Sequence, residues 1–246
     1  MADKILVLNG SPRKERSGTL FLTKAFVSGI ESTGEFETEY VNIADLNVTP
    51  CKGCFHCWKT YAKGECAIKN DDVPAIRAKI EEAKYVVVSM PLYYFGIPGQ
   101  VKTLLDRLLG MSNECRGRPI REKFEKGEAL HGERFPKPDR HFALISGCAW
   151  IETDITYAPL FTQLDYIFGK NHYGRAVCPQ LDSLIARGGE RRLNLYSKNY
   201  QAAGVEFTQK GYLSEETQAL LSKPAFSTTV YEQLLDTMWD SDGEHN

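Results

Sequence analysis

The chain is paced by short apolar runs set between stretches of helical period. Residues 4–8 (KILVL), 85–90 (YVVVSM) and 141–146 (HFALIS) are nearly continuous in apolar character. Runs of that length without polar alternation predict strands buried on both faces. Residues 36–43 alternate only in part, which predicts a strand nearer an edge, and 173–178 read as a weaker fifth strand. After the first run, Leu20, Phe21, Leu22, Ala25, Phe26, Val27 and Ile30 recur at helical spacing. A helix is expected over 73–83, where Asn70, Asp71 and Asp72 offer caps and Pro74 is tolerated in the first turn. Others are expected over 100–109, with Val101, Leu104, Leu105 and Leu108 on one face, and over 157–168. The remainder is helical in pattern over 181–211, 214–221 and 229–239, before a polar tail at 240–246 expected to fray. Strands alternating with helices about five times predict a doubly wound, five-stranded parallel α/β sheet in the order 2-1-3-4-5, with a C-terminal helical extension.

At 246 residues the chain is long enough for one large domain, read as a core over 3–180, an insertion loop over 111–140 and a helical part over 181–240. The insertion interleaves Arg116, Arg118, Arg121, Lys123 and Lys126 with Glu122, Glu125 and Glu128, the mark of a solvated face, with a nicotinamide-phosphate contact as the alternative. A net charge of −2 gives no argument for nucleic acid or an anionic membrane. No stretch approaches the roughly 18 apolar residues of a membrane span, and the first strand is far too short for a secretory apolar region. A cytoplasmic protein is therefore expected. Its seven cysteines are then expected to be thiols, ligands or redox groups rather than disulfides.

In the predicted topology, ligands lie at the carboxyl ends of the strands where the order reverses, and the loops there carry candidate chemistry. The first reads Asn9-Gly10-Ser11-Pro12-Arg13, then Lys14 to Thr19, and opens into a helix. Free amides and the positive helix dipole at that point suit an anion, with Ser11, Ser17 and Thr19 as hydroxyl donors and Arg13 as a planar fork. Gly10 and Gly18 permit close backbone approach. An ordinary capped turn would use the same residues. There is no G-x-G-x-x-G, no acidic residue at the end of the second strand and no G-x-x-x-x-G-K-[ST], so the loop suits a mononucleotide phosphate ester.

The second loop, Pro91-Leu92-Tyr93-Tyr94-Phe95-Gly96-Ile97-Pro98-Gly99, sets three aromatics between stiffening prolines and glycines. Such a loop suits a flat heteroaromatic ring, or else packs at a subunit interface. The third, Ser146-Gly147-Cys148-Ala149, is small enough to approach the same ring, or is a plain strand-ending turn.

Together, L-N-G-S-P-R at 8–13 with Ser17 and Thr19, and P-L-Y-Y-F-G-I-P-G-Q-V-K at 91–102 with Asp106-Arg107, resemble the flavodoxin-like NADPH-dependent FMN reductases. The cysteine segment resembles the iron–sulfur flavoprotein branch of that family. The resemblance implies a flavodoxin-like fold and FMN held without a covalent bond. The phosphate would sit on Ser11, Arg13, Ser17 and Thr19, with Gly18 and Leu20 in the same turn. The ring would lie on Pro91, Leu92, Tyr93, Tyr94, Phe95 and Gly96, with Ser146, Gly147 and Cys148 on its other side. The implied activity is transfer of hydride or electrons from NAD(P)H, or a reduced protein donor, to a quinone, flavin, nitro or azo acceptor. Such transfer needs no side-chain acid or base, so no catalytic residue is assigned. The family also implies a homo-oligomer, dimer or tetramer, that completes the flavin pocket across an interface.

Cys51-x-x-Cys54-x-x-Cys57, then eight residues to Cys66, has ligand-like spacing. Three readings stand side by side: a [4Fe–4S] cluster on these four, thiols with no metal, or a tetrahedral zinc site, although the last gap is longer than in the iron–sulfur flavoproteins. Cys115, Cys148 and Cys178 are isolated and expected to be small buried groups. Against the enzyme stand an iron–sulfur flavoprotein acting as an electron carrier, and a thiol-based redox sensor.

Overall fold

In a computed structural model, residues 2–113, 119–186 and 190–239 are described. Cys115, Arg116, Arg118 and the tail at 240–246 lie outside the described residues. Five parallel strands, β1 (Asp3–Asn9), β2 (Phe36–Asn42), β3 (Tyr85–Pro91), β4 (His141–Gly147) and β5 (Gly174–Cys178), form one sheet in the order β2-β1-β3-β4-β5. The register follows from the apolar runs: Val7 pairs with Val87, and Val87 with Ala143.

Both faces are covered, which is why the central runs are continuous rather than alternating. Ile5, Val7, Val87 and Ile145 enter one core; Leu6, Leu8, Val86 and Leu144 enter the other. The first core lies under α1 (Gly18–Glu31) and, later in the chain, α7 (Leu181–Ile185) and α8 (Glu190–Lys210). The second lies under α2 (Val73–Glu82), α3 (Gly99–Arg107) and α6 (Ala158–Phe168). β2 is an edge strand with no fully buried residue, as its partial alternation predicts.

Helices α1 and α8 cross at glycines. A Cβ on Gly204 would lie 1.9 Å from the Phe26 carbonyl oxygen, and one on Gly29 would lie 2.0 Å from that of Gln201. Only the absence of side chains lets the backbones approach so closely. The C-terminal helices α9 (Glu215–Leu221) and α10 (Thr228–Trp239) extend this face, adding Leu221, Phe226 and Tyr231 to its core. Ser214 caps α9, and the buried Gln180 side chain ties this extension down by bonding both the amide and the carbonyl of Phe226.

Two expectations are corrected. The helix over 181–211 is two helices, α7 and α8, whose ends lie either side of the Gly188-Gly189 pair. The long loop after Met111 is not without structure: it contains α4 (Arg121–Glu125), pairs Ser112 with Glu133, and bonds Leu130 to Tyr166 of α6. A further short helix, α5 (Thr153–Thr156), precedes α6. Asp72 caps α2 without a side-chain bond; Asp71 Oδ1 takes the Val73 amide instead. No described helix is long and apolar enough to cross a membrane.

Candidate functional site

The expected loops meet at the carboxyl ends of β1, β3 and β4 because backbone bonds tie them to one another. Gln100 Nε2, in the first turn of α3, donates to the Gly10 carbonyl at 3.0 Å. The Leu92 amide donates to the Gly147 carbonyl at 3.0 Å. The first tie joins the β1 and β3 loops, and the second joins the β3 and β4 loops.

The first loop is shaped from within. Asn9 Oδ1 takes the Ser11 amide, and Ser11 Oγ takes the Arg13 amide at 3.3 Å. A single 3-10 turn at Lys14–Arg16 then delivers Ser17 to the cap of α1, where its Oγ takes the Leu20 amide at 3.3 Å. Ser11, Ser17, Thr19 and Leu20 are buried, whereas Arg13 is exposed. Each serine oxygen is spent as an acceptor, which leaves its own O–H to donate. These donors sit where the dipole of α1 favours negative charge.

The glycines at Gly10 and Gly18 also serve the packing. A Cβ on Gly10 would lie 2.2 Å from Val101 Cγ2, and one on Gly18 would lie 2.5 Å from Ile185 Cγ2. Their missing side chains let α3 and α7 pack against the loop.

In the second loop, Tyr93 and Gly96 pair across a two-residue turn, with Gly96 N to Tyr93 O at 3.0 Å. Both central residues are left-handed, Tyr94 at φ 51° and Phe95 at φ 62°. Such turns ordinarily take Asn-Gly, so two aromatics here carry strain of about 1–2 kcal/mol each. The strain holds bulky rings outward: Tyr94 is fully exposed, and Phe95 lies 5.8 Å from Trp150. Trp150 was missed by sequence reasoning, although an aromatic just beyond a small-residue turn is a usable signal. Gln100 was missed as well, and its role depends on a tertiary tie that spacing does not reveal.

The third loop divides its residues. Ser146 points inward, where its Oγ accepts from the Tyr157 hydroxyl at 2.9 Å, with both side chains buried. Gly147 packs against Leu181, where a Cβ would lie 2.1 Å away. Cys148 is buried, and burial pushes its thiol above the usual range. At this turn the outward side chain near the aromatic hairpin is Trp150.

The cysteine segment leaves the carboxyl end of β2. The buried Asp71–Arg107 ion pair staples its two ends: Arg107 Nη1 donates to the Thr49 carbonyl at 2.5 Å and Nη2 to the Ile68 carbonyl at 3.0 Å. Asp71 also takes the Thr49 amide. Arg107 counteracts the cost of burial and holds the Asp71 carboxyl below its usual range. Cys51 and Cys54 are exposed; Cys57 and Cys66 are half-buried. Burial, then the neighbouring thiols of Cys66, Cys51 and Cys54, raise the Cys57 thiol, so the four are electrostatic neighbours. As placed, no three His, Cys, Asp or Glu side chains among the described residues are arranged to hold a metal ion. The six described cysteines are all free thiols.

The family model for NADPH-dependent FMN reductases matches residues 4–124. That span runs from β1 through the cysteine segment and the aromatic hairpin to the edge of the insertion. Over those residues the chain is similar to the NADPH-dependent FMN reductases. An iron–sulfur flavoprotein of Methanocaldococcus jannaschii is 35% identical over 129 residues, covering 52% of this chain and 59% of that one. The chain thus spans about half the length of the curated relatives it matches.

Solved structures extend the likeness of fold beyond the FMN reductase match. An NAD(P)H:quinone oxidoreductase from Methanothermobacter marburgensis superposes with a TM-score of 0.59 at 14% identity, over 84% of this chain and 100% of the other. An FMN-dependent NADH-azoreductase from Bacillus anthracis, in complex with FMN, gives 0.57 at 17% identity, over 84% and 100%. At such identities the agreement speaks to the flavodoxin-like fold alone.

Proposed function

We propose that this chain is an FMN-dependent oxidoreductase that passes hydride or electrons from NAD(P)H, or a reduced protein donor, to a small acceptor such as a quinone, flavin, nitro or azo compound. The observation that carries the reading is the pair of buried serines, Ser11 and Ser17, at the start of α1. Their oxygens are occupied by backbone amides and their O–H groups are left to donate. The donor set fits a phosphate monoester: two hydroxyls, the amides of the first turn and Arg13 alongside. The hairpin at 93–96 and Trp150 fit a flat ring, since aromatic faces stack and the turn amides are fixed.

FMN, when bound, supplies the two-electron chemistry. The chain's own residues grip the phosphate, set the ring's orientation through the strained hairpin, and exclude water with Tyr93, Phe95 and Trp150. Every one of these jobs is done by packing and hydrogen bonds, so no side chain needs to carry a proton in the hydride step. The exposed cluster of Tyr93, Tyr94, Phe95 and Trp150 supports a homo-oligomer with this edge at the interface. Free thiols and near-neutral charge support a cytoplasmic setting. The test is steady-state oxidation of NADH and NADPH by FMN-loaded protein with a quinone present. Acceptor-dependent turnover is expected; a loaded protein that oxidises neither nucleotide overturns the reading.

A second reading adds a [4Fe–4S] cluster at Cys51, Cys54, Cys57 and Cys66, and makes the protein an electron carrier. The mutual proximity felt by Cys57 favours it, and four thiols are the right donors for iron. As placed among the described residues, the four do not converge on a metal site. Stoichiometric iron and labile sulfide in anaerobically purified protein would establish this reading, and their absence would leave the simple flavoenzyme.

A further inference from the structure

Behind the site, on the α2/α3/α6 face of the sheet, lies a cavity of about 380 Å³. Its floor is Val88 and Leu144, its walls are Leu104 of α3 and Leu164 of α6, and Met111 and Ala129 of the insertion roof it. It runs from Met90, near the carboxyl end of β3, to Arg140, the residue before β4. Its far end therefore lies at the edge of the sheet opposite the three-loop site. Most of its lining is apolar; Ser112, His131, Glu133, Arg140 and His172 are its polar members.

One end is not apolar. The Arg140 side chain is 4% exposed and lines the cavity, yet its Nε–H has no acceptor among the described residues. Its other nitrogens are committed to the Glu81 carbonyl at 3.2 Å and the Phe135 carbonyl at 3.4 Å. The Glu133 carboxylate stands 3.7 Å away, a loose ion pair. Glu133 lines the same cavity, and burial raises its carboxyl above the usual range. A buried guanidinium with an unspent donor at the end of a largely apolar chamber suits an anion attached to an apolar body.

We infer that this cavity, which shares Ile97 with the aromatic loop but none of the phosphate-loop residues, is a binding site for a medium-chain monocarboxylate whose carboxylate meets Arg140 and whose chain lies along the sheet toward Met90. At about 30 Å³ per water-sized group, the volume holds roughly a dozen heavy atoms, the size of decanoate. The insertion makes the site, since it contributes the roof and Arg140 itself.

The test is calorimetric titration of the full-length protein with decanoate and with decan-1-ol. Decanoate is expected to bind at least tenfold more tightly than the alcohol, and Arg140→Gln to erase that preference while leaving the alcohol unchanged. Ala129→Phe, on the roof, is expected to abolish binding of both, and carries the test if the Arg140 variant fails to fold. The affinity should be the same with FMN bound and without. Equal binding of acid and alcohol, persistence of binding in Ala129→Phe, or displacement of FMN by decanoate would overturn the inference. The acid-to-alcohol comparison and both variants are read on flavin-free protein, so their outcome does not depend on whether the loops hold a flavin.

Discussion

Ser17 does two jobs that substitution can separate. It caps α1 by accepting the Leu20 amide, and its O–H is free to donate to a phosphate. Ser17→Ala removes both, and the lost cap alone should lower the stability of the flavin-free protein by about 1 kcal/mol. Ser17→Asp keeps an acceptor at the cap and adds a charge that the dipole of α1 welcomes, so flavin-free stability should hold. For FMN the same change is severe. The lost donor costs about 1.5–3 kcal/mol. Two unit charges at about 4 Å and an effective dielectric near 20 repel by about 4 kcal/mol more. Together these raise the dissociation constant by more than about 1000-fold. Ser17→Thr keeps both acceptor and donor and should bind near normally. Urea denaturation of flavin-free protein gives the first quantity, and quenching of flavin fluorescence gives the second. A Ser17→Asp variant that folds normally and still binds FMN as the parent does would refute the phosphate site.

Three further outcomes follow from the packing. Gly204→Ala should cost at least about 3 kcal/mol, because backbone at Phe26 rather than a flexible side chain must yield. Gly99→Ala, with nothing within 4 Å, should be neutral or slightly stabilising in the same denaturation assay. Arg107→Leu should cost about 3–5 kcal/mol by stranding the buried Asp71, and should speed proteolysis in the cysteine segment that Arg107 staples. Burial works against the Glu206 carboxylate, but hydrogen bonds from Thr217 and Ser214 outweigh it and hold the group down to about 2, from an ordinary 4.5. A depressed carboxyl stabilises above its unfolded value and loses that contribution as pH falls from about 4.5 to about 2. Glu206→Gln should therefore lose on the order of 3 kcal/mol at neutral pH and flatten the acid limb in that window, read by melting temperature against pH.

The sheet was legible because its central strands are buried on both faces, which writes β1, β3 and β4 as unbroken apolar runs. The order of strands and the convergence of the three loops followed from that pattern and from the alternation of elements. The glycines were legible as close approaches but not as to what approaches them: Gly10 and Gly18 face Val101 and Ile185, partners set by tertiary packing. Trp150 was not legible as part of the site, and the inward turn of Ser146 was not either, since which way a side chain points from a strand-ending turn depends on register and on the Tyr157 hydroxyl behind it. The left-handed Tyr94 and Phe95 contradict local preference and exist only because the loop is pinned at both ends. The polar insertion gave no periodic signal, and neither the short α4 nor the cavity it roofs could be read from composition.

The account rests on a phosphate grip at the start of α1, and riboflavin, which is FMN without its phosphate, tests that grip most directly. Flavin-free protein titrated with each, followed by fluorescence quenching, should bind FMN at least about a hundredfold more tightly, as expected for several charge-assisted bonds at a buried site. Equal affinities, or no uptake of either flavin, would contradict it.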